Sequence, residues 1–182
     1  MDRANHYEAA FEAYLHWQGL SYVAVDETRR SPLGDRPAKS LDFIVHGDGT
    51  GHLLVDVKGR RFPGNAKGRP RRVWECWSTL DDVHDLERWA ELFGPGYRGL
   101  LVFTYQLHES VQLPADTDDL WTWRERRYLF RAVAVADYRR HMRVRSPRWG
   151  TVTLPGPVFR ELVRPLHHFT HAPPVVSEEC PF

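Results

Sequence analysis

Asp42, Asp56 and Lys58 have the types and spacing to do chemistry together. They lie in Ser40–Arg61, SLDFIVHGDGTGHLLVDVKGRR. This stretch reads as a β-hairpin, with strands over Leu41–His46 and His52–Lys58 and a glycine-rich turn between them. Side chains two apart share a face of a strand. Asp42 therefore points with Ile44 and His46, opposite Leu41, Phe43 and Val45. In the second strand Leu54, Asp56 and Lys58 oppose Leu53, Val55 and Val57. Each strand turns one carboxylate out of an apolar run, which is costly without a partner. Mg²⁺ or Mn²⁺ would be such a partner, since either is held through one or two carboxylates plus waters and substrate phosphate. Lys58, beside Asp56, is positioned to orient a water or hold a phosphate.

Asp42, then Asp56-Val57-Lys58 after a hairpin, with Glu8 upstream in a helix, resembles the PD-(D/E)xK nuclease superfamily. Within it the likeness is to small Holliday-junction-resolvase-like members. It covers roughly the first sixty residues in motif terms, with a topological continuation to about residue 138. Two departures are visible: Leu41 stands where the superfamily carries proline, and Asp56 stands where glutamate is commoner. The resemblance implies an α/β, restriction-endonuclease-like core, a mixed sheet with a central hairpin flanked by helices. It implies Mg²⁺ (or Mn²⁺) held by Asp42, Asp56 and the Val57 carbonyl, supported by Glu8, with Lys58 as a further catalytic residue. The expected activity is hydrolysis of a phosphodiester in DNA. Relatives of this type are commonly dimers, which leaves a homodimer open.

The 182 residues suit one domain, expected over residues 1–170, with a loose tail over 171–182. Hydrophobic residues at 42% and charged residues at 27% are ordinary for a globular chain. No apolar run approaches the ~20 residues of a membrane span, and no signal-peptide core is present. With only Cys76 and Cys180, no disulfide framework is expected, and the reducing cytoplasm is the expected compartment. The net charge of +1 hides an uneven distribution. Seven basic residues and no acid fall between Lys58 and Arg72, and five arginines and no acid between Arg139 and Arg148. Such runs are the footprint of phosphate binding. Arg60, Arg61, Lys67, Arg69, Arg71, Arg72, Arg139 and Arg140 are the candidates for gripping a nucleic-acid backbone without reading sequence.

The positioning elements follow from periodicity. His6–Gln18 predicts a helix with Asn5 as N-cap, and Glu8 lies on the rim of its apolar stripe. Leu20–Val25 predicts a strand. Residues 26–39 and 62–72, rich in Pro, Gly and cations, predict loops. Thr79–Phe93 predicts a helix capped by Ser78 or Thr79, with acids in its first turn and Leu80, Val83, Leu86, Trp89, Ala90 and Phe93 buried. Gly99–Leu107 predicts a strand buried on both faces, and Tyr128–Ala136 another. Asp116–Trp123 reads as a loop or insertion. Asp137 is the expected N-cap of a basic helix from Tyr138. Residues 146–157 read as extended and turn-rich, and 158–169 as a helix.

Other constellations carry less. His167, His168, His171 and Cys180 invite a zinc reading, but no second cysteine lies nearby and no acid separates the histidines. Glu75 is a weak candidate for an additional acidic ligand. Two rival readings of the main motif remain: a non-catalytic nucleic-acid-binding or partner-binding module on the same fold, and a structural protein in which Lys58 merely neutralises two acids.

Overall fold

The computed structural model describes residues 5–25, 32–33, 36–37, 40–47, 49, 51–66, 69–71 and 73–171. The chain begins with α1 (His6–Trp17), β1 (Ser21–Ala24), the short pair β2 (Pro32–Leu33) and β3 (Arg36–Pro37), then β4 (Phe43–Gly47) and β5 (Gly51–Phe62). A second short pair, β6 (Gly64–Ala66) and β7 (Arg69–Arg71), precedes β8 (Trp77–Thr79), α2 (Leu80–Phe93) and β9 (Tyr97–Leu107). There follow β10 (Leu120–Trp123), β11 (Arg126–Ala134), α3 (Val135–His141), β12 (Arg143–Ser146), β13 (Thr151–Thr153), α4 (Gly156–Leu162) and α5 (His167–Thr170).

Six strands form one sheet in the order β1-β4-β5-β9-β11-β10, and a smaller sheet runs β12-β13-β8. In the large sheet only β5 and β9 are parallel, from His52↔Tyr97 to Phe62↔Leu107, and α2 makes the crossover between them. The alternation expected for the hairpin holds along β5. Leu53, Val55 and Val57 join Phe11, Tyr14 and Leu15 of α1 in one core, while Leu54 joins Val83 and Leu86 of α2 in the other. β9 is buried on both faces, dividing Leu100 and Val102 from Leu101, Phe103 and Tyr105. The central strands therefore separate two apolar layers, and α1 and α2 sit on opposite faces.

Several expectations need correction. Asp42 lies just before β4, so strict alternation does not reach it, and Leu41 packs with the Leu54 layer rather than with Phe43. Residues 120–123, read as loop, form edge strand β10 against β11, with Trp121↔Tyr128. The basic 62–72 segment holds the β6–β7 ladder, with Phe62 stacked on Trp74 at its base, ring centroids 3.7 Å apart. α3 starts at Val135 with Ala134 as its N-cap and no side-chain cap, so Asp137 lies inside the helix. The expected 158–169 helix splits into α4 and α5, because Pro165 cannot continue a helical ladder. Arg164 instead bridges backbone-to-backbone with Ala132.

The segment carrying α5 is held by Asp119. Its carboxylate accepts the Tyr14 hydroxyl at 2.6 Å and the Leu166 amide, and it faces His167 Nδ1 at 3.5 Å. His171 is engaged with Thr170 and the His167 carbonyl. The zinc reading has no geometric support at His167, His168 and His171, and Cys180 lies outside the described residues. No described helix is long and apolar enough to cross a membrane.

Candidate active site

The site begins where β4 and β5 part. Their pairing ends at Phe43↔Val55, and β5 continues beyond it. Asp42 bridges the gap. Its amide donates to the Val55 carbonyl at 2.9 Å, and its carboxylate accepts the Val57 amide at 2.5 Å. A side-chain carboxylate thus takes the hydrogen bond that a neighbouring strand would otherwise take, which satisfies a buried donor where the ladder ends. Asp42 is only 5% exposed.

On the α2 face of β5 lie Asp56 and Lys58. Lys58 Nζ sits 2.8 Å from Asp56 Oδ2 and 2.9 Å from Asp82 Oδ2. Burial alone would push the ammonium toward deprotonation. The two carboxylates outweigh that and hold its pKa well above the ordinary lysine value. Lys58 is a cation throughout the physiological range.

Asp82 comes from the start of α2. Thr79 caps this helix, and Asp82 completes a reciprocal capping box: its amide donates to Thr79 Oγ1 at 3.1 Å and its carboxylate accepts the Thr79 amide at 3.2 Å. Ser78 Oγ donates to the same oxygen at 3.2 Å. Asp85 follows one turn later on the same wall, 8% exposed.

The opposite wall is α1. Tyr7 lies flat against Gly59, where any Cβ would run into its ring. This close approach seats the first turn of α1 on β5 immediately past Lys58, and the next residue, Glu8, enters the cleft. Asn5 serves both ends, accepting the Tyr7 amide at 3.1 Å through Oδ1 and donating from Nδ2 to Glu8 Oε1. The result is a cleft of about 410 Å³ lined by Glu8, Asp42, Asp56, Lys58, Asp82 and Asp85, with Leu41 and Trp89 among its apolar walls.

Among the described residues, no three His, Cys, Asp or Glu side chains stand close enough together to hold a metal ion as a preformed cluster. The donor set still suits a hard cation. Glu8, Asp42, Asp56 and the Val57 position offer only oxygen atoms, and Mg²⁺ keeps several of its waters while using one or two carboxylates.

The candidate cations divide. Arg61 is exposed near His6, whose pKa lies below its ordinary value through burial and the charges of Arg126 and Arg61. Arg60 departs from expectation: it is 8% exposed and lies against the Trp77 ring at 3.9 Å. It donates to the Gly59 carbonyl at 2.7 Å and to the Trp77 carbonyl, so it braces β5 against β8 rather than facing a ligand. Arg139 pairs with Glu87 of α2 while half exposed, and Arg140 is well exposed, 3.8 Å from Asp137. For Arg69 and Arg71 the backbone lies in β7; Lys67 and Arg72 fall outside the described residues. Glu75 is not a cleft residue; it accepts the Trp77 indole N–H at 3.3 Å.

No family model and no curated protein sequence matches the chain. Among solved structures it is similar to Archaeoglobus fulgidus Hjc, a Holliday junction resolvase from an archaeal hyperthermophile. The TM-score is 0.51 over 91% of this chain and 98% of that one, at 13% identity. The fold is restriction-endonuclease-like. Its mixed sheet and flanking helices agree with the architecture expected from the hairpin motif.

Sequence reasoning missed Asp82 and Asp85 as members of this site. Their signal was present: Thr79-x-x-Asp82 has capping-box spacing, and Asp82, Asp85, Leu86 and Trp89 recur at i, i+3, i+4 and i+7. That stripe lines the cleft.

Proposed function

We propose that this chain is a divalent-metal-dependent DNA endonuclease of PD-(D/E)xK type. The observation that carries the reading is the meeting of Asp42, Asp56, Lys58 and Glu8 at one cleft on a restriction-endonuclease-like fold. The similarity to a Holliday junction resolvase supports a phosphodiester substrate in DNA.

Asp42 and Asp56, with the Val57 carbonyl, would hold Mg²⁺ or Mn²⁺, and Glu8 would support its waters. The ion, when bound, supplies an activated water and neutralises charge at the scissile phosphate. Lys58, a permanent ammonium, acts as an electrostatic group that holds the phosphate or orients the nucleophile; it is not a general base. Asp82 keeps that ammonium anchored from the α2 side. Exposed Arg61 would grip the backbone next to the cleft.

The test is cleavage of labelled single-stranded, duplex, flap and four-way-junction DNA with Mg²⁺, Mn²⁺ or EDTA, wild type beside Lys58→Ala. Metal-dependent cutting by wild type, absent in Lys58→Ala, is the expected result. A second reading has its own observation: Lys58 is neutralised by two carboxylates and no preformed metal cluster stands among the described residues. A non-catalytic binding module on this fold would bind DNA without metal, with steep salt dependence, and that binding would survive loss of Asp42 and Asp56.

A further inference from the structure

We propose that the β12–β13 hairpin is a nucleobase-stacking prong for unpaired nucleic acid, with Trp149 as the stacking platform and Arg143, Arg145 and Arg148 as its phosphate contacts. From Tyr138 to Arg160 the sequence contains no acid, while Arg139, Arg140, Arg143, Arg145, Arg148 and Arg160 all fall within it. At the hairpin Arg143, Arg145 and Arg148 are exposed, and no described acid forms an ion pair with any of them. Trp149 at the tip is 71% exposed and Val144 is 68% exposed. An indole that stays mostly in water, with only the Arg148 guanidinium 5.4 Å from its ring centroid, is costly, and the cations around it repel one another. Both costs are relieved by a partner carrying flat apolar rings on a polyanionic backbone.

The prong is tied down by backbone pairing on both sides of β13 and by turn hydrogen bonds. Gly150, at φ +54, closes the tip with its amide donating to the Pro147 carbonyl at 3.2 Å. Val144↔Val152 and Ser146↔Thr151 flank a bulge at Arg145, whose guanidinium lies 5.0 Å from the Trp77 ring centroid. Strand β13 is buried at Thr151 and Val152, directly after the turn, and the Tyr138 hydroxyl donates to the Val152 carbonyl at 3.1 Å.

Its placement links it to the cleft. Thr151 pairs with Thr79 of β8, and the Leu80 amide of α2 donates to the Gly150 carbonyl at 2.8 Å. Asp82, which holds Lys58, is two residues farther along the chain. The tip of the hairpin therefore abuts the start of α2, the element that brings Asp82 to Lys58. Base pairs inside a duplex are already stacked on both faces and present none to an indole, so away from duplex ends the prong favours strands that are open or branched. Its binding role stands on exposure and charge alone; its role in substrate choice rests on the nuclease reading above.

The test is fluorescence anisotropy of the full chain on labelled oligothymidylate, a single-stranded RNA of the same length, and a blunt duplex, all in EDTA so that cleavage plays no part. Trp149→Ala is expected to weaken single-strand binding about five- to a hundredfold, with Trp149→Phe retaining most of it and duplex affinity changing less than about twofold. Arg148→Ala and Arg145→Ala should each reduce the salt slope on single strands by about 0.7. The DNA and RNA arms distinguish the source of the strand. Unchanged single-strand affinity in Trp149→Ala overturns the prong. So does a Trp149→Ala effect confined to sedimentation of the protein alone, which would make the hairpin an interface between copies, or confined to binding of anionic lipid vesicles. Intact Trp149-dependent binding with no cleavage under any metal would support the prong and count against the nuclease reading alone.

Discussion

Lys58 and Asp82 meet across the cleft at 2.9 Å, and the carboxylate that holds the ammonium is the same one that closes the capping box of α2. Helix start and site charge are thus a single feature. The Lys58 ammonium, also 2.8 Å from Asp56, neutralises two acids that would otherwise repel each other in a largely buried setting.

Lys58→Met leaves Asp56 and Asp82 facing one another without a cation. We expect a loss of about 3 kcal/mol of stability. The folded pKa lies above the unfolded value of 10.5, so this contribution is complete below pH 10.5 and fades only as pH climbs through the raised value. The loss should accordingly be uniform from about pH 6 to about pH 9 in thermal melts. Mg²⁺ should raise the melting temperature of Lys58→Met more than that of wild type; an equal response would count against a cation site here.

Asp82→Asn keeps an oxygen for the Thr79 amide but removes the charge facing Lys58. The Lys58 pKa should fall, since burial then meets less opposition. In a pH–cleavage profile the alkaline loss of activity should begin at lower pH than in wild type, with a melting temperature lowered, but by less than in Lys58→Met because Asp56 still pairs with the ammonium. An unmoved alkaline limb would mean that the Lys58 charge does not serve the reaction.

Asp42 separates architecture from chemistry. Asp42→Ala leaves the buried Val57 amide without its acceptor, at about 1–3 kcal/mol. Asp42→Asn retains an acceptor and should melt close to wild type while losing most Mn²⁺ affinity by calorimetric titration. Full Mn²⁺ binding by Asp42→Asn would remove this residue from the proposed ligand set.

Neighbouring arginines should behave oppositely. Arg60→Ala should lower stability by about 2–4 kcal/mol, since it loses the Trp77 ring and two carbonyl contacts. Arg61→Ala should leave the melting temperature nearly unchanged and reduce the salt slope of duplex binding by about 0.9. The reverse pattern would put Arg60, not Arg61, on the ligand.

Gly59→Ala forces a methyl group into the Tyr7 ring, and we expect it to cost about 1–3 kcal/mol. Combined with Tyr7→Ala, the added methyl should cost much less, so the two changes are strongly non-additive in a double-mutant cycle. Simple additivity would show that α1 is not seated through this contact.

Sequence alone determined what repeats locally. Period-two alternation assigned Asp56 and Lys58 to one face of β5, the turn glycines joined β4 to β5, and Asn5 and Thr79 marked helix starts, because each depends on neighbours within a few residues. It failed where the local signal is atypical: β10 turns into β11 through Arg124 and Glu125 at φ +46 and +60, without glycine or asparagine, and α3 starts straight from the end of β11 without a side-chain cap. It also could not tell Arg60 from Arg61, although they are adjacent and identical, because which one is buried depends on Trp77 arriving from β8. Periodicity gives the direction of a side chain but not what waits there. Only tertiary structure set Asp82 and Asp85 opposite Asp56, and Tyr7 on Gly59, since those meetings are made by the β5–α2–β9 crossover and by the seating of α1.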